Sequence, residues 1–225
     1  MQTISISRLR ADIEALARFG RTASGGVTRP AWSPPHEEAR AWLLGKMREA
    51  GLTTWVDPGG NTFGSSADGA GGAAAAGTEV PQYLGVLTGS HIDSVPDGGI
   101  LDGALGVLAG LECLRTIREA RPPVGRPLTL VAWSDEEGRY GSLFGSKAFT
   151  GKLDPAQLPT LAAPDGERLI DAMARAGFNA LEAPKAATDP KTLAAYVELH
   201  IEQGPHLEAL GIPIGIVTGI VGIRR

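Results

Sequence analysis

Three apolar, β-branched runs in this sequence end in side chains that bind metal ions well. The runs are YLGVLTGSHIDSV from Tyr83, LTLVAWSDEEG from Leu128 and AAYVELHIEQGP from Ala194. Segments with helical spacing separate them, and this alternation predicts an α/β fold with a largely parallel, mixed sheet and helices on both faces. Because ligands bind beyond the carboxyl ends of the strands in open α/β sheets, the three polar clusters are expected to share one crevice.

Hydrophobic periodicity and turn residues place the other elements. Helices are expected over 7–19, 35–50, 103–120 and 165–176, and strands over 52–56, 83–88, 128–134 and 195–201. Residues 65–79, SSADGAGGAAAAGTE, have too few apolar side chains to order themselves, so they are expected to form a mobile surface loop.

Composition narrows the class of protein. The chain has 225 residues, of which 43% are hydrophobic, and this is enough for one sizeable core. A formal net charge of -4 without a basic patch argues against a nucleic-acid partner. The amino terminus does not resemble a signal peptide, and no apolar run reaches the ~18 residues of a membrane span. A cytoplasmic protein that binds neither nucleic acid nor membrane is therefore predicted.

The only cysteine, Cys113, supports the same location. A single cysteine excludes an internal disulfide and is typical of a reducing compartment. Because Cys113 lies in an apolar helical pattern, it is expected to be a small core residue.

The first cluster contains His91 and Asp93. On an extended segment these two side chains point to the same face, because the strand period is two. Asp93 could then accept one imidazole N–H and so orient the other nitrogen toward a metal. A buried structural histidine beside an incidental acid explains the pair equally well.

Asp102 follows His91 by eleven residues and precedes a long apolar helix. Its position alone favours a helix N-cap. A carboxylate at a helix start near a histidine is also suited to bind metal, and its two oxygens can bridge two cations. Gly103 next to it would let the backbone pass close to such a site.

The second cluster contains the adjacent acids Glu136 and Glu137. Consecutive residues project in different directions, which suits one metal ligand and one free base. Two buried carboxylates at a strand end need a cation or a proton to compensate them. The alternative is an exposed acidic turn.

The third cluster contains His200, which by itself would be structural more often than a metal ligand. Its coincidence with the other two strand ends favours the ligand. Imidazole and carboxylate ligands without a thiolate suit Zn²⁺, Mn²⁺, Co²⁺ or Ni²⁺ and disfavour a structural cysteine site.

The motifs together resemble the hydantoinase/carbamoylase family. They are GSHIDSVPDGGILDGALGVLAGLE, SDEEGRYGSLFGSKAFTG and ELHIEQGPHLEALGIPIGIVTGI. This family includes N-carbamoyl-L-amino-acid hydrolases, allantoate amidohydrolases and β-ureidopropionases, within a superfamily of two-metal aminopeptidases and carboxypeptidases. The resemblance covers nearly the whole chain outside 65–79.

The resemblance implies a role for each candidate residue. His91 and His200 would bind one metal, and Glu137 would bind the second. Asp102 would bridge the two metals. Zn²⁺ would be preferred over Mn²⁺, Co²⁺ or Ni²⁺. The remaining implied roles are the general acid/base for Glu136, support of His91 for Asp93, and a substrate contact for Gln203. Glu136 would remove a proton from water, whose pKa two cations lower, and return it to the departing amine.

The resemblance also implies that the chain is truncated. The family has a further histidine ligand toward its carboxyl terminus and a smaller domain that contacts substrate and usually forms a homodimer. Residues 1–217 would be an incomplete catalytic domain, and 218–225 would begin the missing one. His206, in an expected turn, is a poor substitute for the missing ligand, and His36 is expected at the surface.

The predicted function is hydrolysis of an N-carbamoyl-L-amino acid, allantoate or a related ureido acid, with release of ammonia and carbon dioxide. The nearest alternative is a dipeptidase or aminoacylase of the same superfamily. An inactive metal-binding fragment, half of a split enzyme, or a purely structural α/β domain are the remaining alternatives.

Overall fold

A computed structural model describes residues 3–66, 84–121 and 124–220. The helices are α1 Ile6–Leu16, α2 Pro34–Glu49, α3 Ala104–Ala120, α4 Phe144–Phe149, α5 Leu169–Arg175 and α6 His206–Leu210. The strands are β1 Thr53–Val56, β2 Thr62–Ser65, β3 Gly85–His91, β4 Leu128–Trp133 and β5 Leu193–Val197. None of the described helices is long and apolar enough to cross a membrane.

The five strands form one mixed sheet in the order β1-β2-β4-β3-β5. Strand β3 runs parallel to both β4 and β5, whereas the β1–β2 and β2–β4 pairs are antiparallel. The predicted mixed sheet flanked by helices is confirmed, with its parallel pairing confined to β4, β3 and β5. Strand β2 was missed, because four residues that include Gly64 carry little strand signal.

Alternate side chains of β4 enter two different cores. Leu130 and Ala132 pack with the buried faces of α1, α2 and α3. Val131 and Trp133 point to the opposite face, where they pack with Phe149 of α4. The sheet therefore carries helices on both faces, as predicted.

Several predicted boundaries are wrong by a few residues. Helix α1 ends at Leu16 instead of residue 19, and α5 begins at Leu169 instead of 165. Strand β3 continues to His91, whereas β5 ends at Val197 and not at 201. Helices α4 and α6 are too short to show periodicity, so neither was predicted.

The low-complexity segment lies mostly outside the described residues, which resume at position 84. Ser65, its first residue, is not part of a loop. It is the last residue of β2 and is buried, because it pairs with Thr129 of β4.

Two burial predictions are wrong. His36 is only 2% exposed, because the first turn of α2 faces inward and the backbone N–H of Trp32 donates to its Nδ1 atom at 3.3 Å. Cys113 is exposed, because it lies on the face of α3 that points away from the sheet. Its neighbour Glu112 is buried instead, where the Arg8 guanidinium compensates its charge at 2.7 Å.

Candidate metal centre

Three separate segments bring His91, Asp102 and His200 together. His91 is the last residue of β3, Asp102 lies just before α3, and His200 follows the end of β5. Because β3 and β5 are parallel neighbours, their carboxyl ends lie side by side. One ligand atom from each of the three residues lies within 4.8 Å of the others.

Both imidazoles present the same nitrogen to Asp102. The Nε2 atom of His91 lies 3.8 Å from Asp102 Oδ1, and Nε2 of His200 lies 3.3 Å from the same oxygen. The Nδ1 atoms face main-chain carbonyl oxygens, of Asp93 at 3.0 Å and of Ile201 at 2.8 Å. A carbonyl can only accept, so each Nδ1 that bonds to one carries a hydrogen, and Nε2 is the nitrogen that each ring turns toward the centre.

Asp93 lies nearest to His91 through a different atom from the one expected. Its main-chain oxygen is the nearer acceptor, and its carboxylate Oδ1 lies 3.5 Å from Nδ1 of His91. The other carboxylate oxygen accepts the backbone N–H of Glu137 at 3.1 Å. Asp93 therefore links the end of β3 to the loop that follows β4.

The carboxylate of Asp102 does not cap α3. The N-cap position is Gly103, and among the described residues no side chain forms a cap hydrogen bond to this helix. Asp102 Oδ2 accepts from the amide of Gln203 at 2.9 Å, whereas Oδ1 is buried without a hydrogen-bond partner in the described part of the chain. A buried, unpartnered carboxylate oxygen facing two imidazole Nε2 atoms suits a cation.

Gly103 is the residue that lets His91 reach this position. Its φ of +62° lies in the left-handed region, and a Cβ atom there would overlap the imidazole ring of His91. Glycine is the residue that satisfies both conditions without strain.

Glu136 and Glu137 lie on the loop after β4. Glu136 Oε2 is 3.5 Å from Nε2 of His91, and the Glu136 side chain is 33% exposed. Neither glutamate carboxylate belongs to the compact group of three ligand atoms. Burial raises the pKa of both glutamates, although the nearby His91 lowers each pKa.

The electrostatics of the centre are set by its excess of acids. Burial lowers the pKa of His91, but the hydrogen bond and charge of Asp93, with the charges of Glu136 and Glu137, raise it to about 9. A divalent cation could replace that proton and balance the same carboxylates.

Two supporting residues were not predicted. Asp135, at φ +48°, accepts the backbone N–H groups of Arg139, Tyr140 and Gly141, and burial followed by the charge of Asp93 raises its pKa to about 7. An Asp that opens a turn after a strand is a usable signal for such a role. Arg29 is buried and donates to the main-chain oxygen of Ile92 at 2.6 Å, next to His91, and the sequence around it carries no comparable signal.

The fold and the centre together define an α/β domain with a candidate metal site across its parallel strand ends. Residues 87–221 match the profile of Peptidase family M20/M25/M40, and the chain belongs to this family.

Similar proteins agree with the resemblance seen in the motifs. The chain is 43% identical over 219 residues to an N-carbamoyl-L-amino acid amidohydrolase of Geobacillus stearothermophilus, covering 96% of this chain and 51% of that one. It is 38% identical over 212 residues to the allantoate amidohydrolase of Escherichia coli K12, covering 93% and 49%. The chain thus spans about half the length of these relatives.

A solved structure supports the same relationship. An amidase of the hydantoinase/carbamoylase family from Burkholderia phymatum superposes with a TM-score of 0.80 at 37% identity, over 94% of this chain and 48% of that one. The predicted family resemblance and fold class are confirmed.

Proposed function

We propose that this chain forms the metal-binding part of an amidohydrolase that cleaves linear C–N bonds other than peptide bonds. The observation that carries the proposal is Asp102 Oδ1, a buried oxygen without a hydrogen-bond partner among the described residues that faces Nε2 of His91 and of His200. The names of the relatives support an N-carbamoyl-L-amino acid, or allantoate or another ureido acid, as the substrate.

Two divalent cations are proposed, as the family resemblance implies. His91, Asp102 and His200 would hold the first. Asp102 with Glu137, which lies outside that group, would contribute to the second. Two imidazoles with carboxylates and no thiolate favour Zn²⁺, while Mn²⁺, Co²⁺ and Ni²⁺ also fit. Such cations supply Lewis acidity and lower the pKa of a nearby water.

Glu136 is the proposed general acid and base. Its Oε2 atom lies within 3.5 Å of the ligand nitrogen of His91, and the side chain is part-exposed, so a water and a substrate can reach it. The raised pKa of Glu136, caused first by burial, suits a group that takes a proton from water and returns it to the leaving nitrogen. Hydrolysis of an N-carbamoyl amino acid with one water then yields the amino acid, ammonia and carbon dioxide.

Gln203 is proposed to contact the substrate as well as Asp102. Its Nε2 atom donates to Asp102 Oδ2, so the amide lies at the rim of the centre. This arrangement directs one amide hydrogen of Gln203 to the carboxylate of Asp102 and leaves the Oε1 atom free to accept from a substrate N–H group.

The remaining assignments stay predictions. They are a catalytic domain over 1–217, a second domain beginning at 218–225, a homodimer formed through that domain, and a cytoplasmic location. No nucleic-acid or membrane partner is proposed, since the net charge is -4 and the described helices cannot cross a membrane.

A chimera tests the proposal directly. Residues 1–217 of this chain would be joined to the remaining half of the Geobacillus stearothermophilus relative, and ammonia release would be assayed with zinc, manganese or cobalt and after chelation. We expect metal-dependent turnover of N-carbamoyl-L-amino acids or allantoate. The same chimera with Asp102→Asn serves as the inactive control. A folded, metal-loaded chimera that hydrolyses none of these substrates would contradict the proposal.

A dipeptidase or aminoacylase activity is the second candidate, favoured by the match to a peptidase family. The same assay distinguishes it when dipeptides and N-acetyl amino acids are included. Faster turnover of these than of N-carbamoyl substrates would favour the second candidate.

A further inference from the structure

The side-chain amide of Asn61 contacts both ends of one loop. We call residues 134–145 the acidic loop, since they include Glu136 and Glu137. Asn61 Oδ1 accepts the backbone N–H of Ser134 at 3.0 Å, and its Nδ2 donates to the carbonyl of Gly145 at 3.0 Å. Asn61 is fully buried, so neither bond competes with water.

The two ends of the acidic loop also contact each other and the turn that carries Asn61. The backbone N–H of Gly145 donates to the Ser134 carbonyl at 2.8 Å. The Ser134 hydroxyl donates to the carbonyl of Gly59 at 2.6 Å, and Asp57 Oδ2 accepts from Asn61 Nδ2 at 2.8 Å. Gly145 has no space for a side chain, because a Cβ atom there would overlap Asn61 Oδ1.

The interior of the acidic loop has a separate restraint. Asp135 accepts three backbone N–H groups within the loop, as described above, and these bonds shape the turn at 139–141. They do not connect the loop to the rest of the domain. Asn61 supplies a connection at the loop's ends, and Asp93 supplies another at the N–H of Glu137. The far side of the loop is connected separately, since Arg139 and Tyr140 both donate to Glu167.

We propose that Asn61 is a positioning residue of the metal centre. By holding both ends of the acidic loop, it fixes the backbone positions of Glu136 and Glu137. This inference rests on the proposed metal centre. The role needs an amide, because Ser134 offers a donor and Gly145 offers an acceptor, and an amide meets both. An aspartate would lack the donor and would face the buried carboxylate of Asp57.

Hydrogen exchange on the metal-free 225-residue chain tests the positioning step. The readouts are the amides of Glu137, bonded to Asp93, and of Leu143, bonded to the carbonyl of Glu136 at 3.1 Å. In Asn61→Ala we expect both amides to exchange at least about tenfold faster than in the wild type. The exchange rate of the Val131 amide in β4 reports any global loss of stability, and the two rates are corrected for its change. Asn61→Ser, which stays polar and uncharged but is too short to reach both Ser134 and Gly145, replaces the alanine variant if that variant does not fold.

Cobalt titration tests the functional step on the same proteins. The visible absorption of bound Co²⁺ depends on its ligands, so it can be used to measure binding. In the Asn61 variants we expect the affinity for Co²⁺ to fall by about 10–100-fold, as is typical when a residue that supports a ligand is lost. The matched control is Asn179→Ala, which removes the other asparagine of the chain, whose Oδ1 accepts only from the nearby N–H of Leu181 at 3.1 Å. This control is expected to match the wild type in both measurements.

The outcomes separate the two proposals. Unchanged exchange at Glu137 and Leu143 in both Asn61 variants would overturn the positioning role, and so would faster exchange with unchanged cobalt affinity. A wild-type chain that takes up no cobalt would instead overturn the metal centre, while the exchange data would still decide whether Asn61 holds the loop. Faster exchange together with weaker cobalt binding supports the inference.

Discussion

His200 and Asp102 meet through one pair of atoms, Nε2 and Oδ1, at a separation of 3.3 Å. The same Oδ1 atom also faces His91 Nε2 at 3.8 Å and has no hydrogen-bond partner in the described part of the chain. Two imidazole nitrogens and one bare carboxylate oxygen are therefore directed at a common point. This convergence leads to the following expectations about the ligands and the residues that hold them.

Removal of His200 should abolish tight metal binding. We expect His200→Ala to weaken zinc or cobalt affinity by more than the ~10–100-fold typical of supporting residues, because a direct ligand is lost. Isothermal titration of the purified chain measures the effect. His206→Ala is the matched control, since His206 is exposed at the start of α6, and it should bind metal like the wild type. Equal losses in the two variants would argue against the assigned ligand set.

Substitution of Gly103 should damage the centre without touching a ligand. In Gly103→Ala the new methyl group overlaps the His91 ring, and the φ of +62° adds about 1–2 kcal/mol of backbone strain. A lower thermal midpoint and much weaker metal binding are expected. Gly99→Ala is the control, because a Cβ atom there meets nothing within 4 Å. Normal metal affinity in Gly103→Ala would show that His91 is not held as described.

Glu136 should be needed for turnover and not for metal uptake. In the chimera described above, Glu136→Gln is expected to lower kcat by about 10²–10⁴-fold, the range for loss of general acid–base catalysis. Its metal content should stay at the wild-type value. Near wild-type turnover of metal-loaded Glu136→Gln chimera would exclude Glu136 as the base.

Arg29 should contribute strongly to stability. Its buried guanidinium donates to three main-chain oxygens, of Ile92, Leu16 and Phe19, and ties the end of α1 to the His91 strand end. Its loss leaves the carbonyls of Ile92 and Phe19 without this donor, while the Leu16 carbonyl keeps the backbone N–H of Phe19. Arg29→Ala should therefore lower the free energy of unfolding by about 3 kcal/mol. Urea denaturation gives the value. Arg168→Ala, which removes an exposed arginine, should cost less than about 1 kcal/mol.

Glu167 should stabilise the folded chain at neutral pH and lose this effect in acid. Hydrogen bonds from Tyr140 and then Arg175 lower its pKa from 4.5 to about 2. The folded state therefore favours the ionised carboxylate, and this stabilisation is present above about pH 5 and lost as the pH falls toward 2. Because the group is part-exposed, its contribution is about 1 kcal/mol.

Unfolding of wild type and Glu167→Gln at two pH values checks this expectation. The wild type should be the more stable protein at pH 7, and the difference should shrink at pH 3. Glu182→Gln, which affects only a surface pair with Lys185, serves as the control. A difference that grows on acidification would reverse the assigned sign.

Much of the fold could be predicted from local patterns. The strand–helix alternation, the position of α3 and the three polar strand ends depend on periods of two or 3.6 residues, which are visible within a short window. For the same reason His91, Asp102, Glu136, Glu137 and His200 could be chosen as a set. Short elements such as β2 and α4 could not, because four to six residues do not establish a period.

The tertiary structure decided what each of these side chains faces. Position alone favours Asp102 as a helix cap, but its Oδ1 atom is free for a cation because α3 is capped at Gly103 without a side chain. His36 is buried and Cys113 exposed because helix orientation, and not local hydrophobicity, sets exposure. Asn61 acquires its contacts from residues far along the chain. The sequence by itself determined the chemistry available at the strand ends, whereas long-range packing determined which atoms meet.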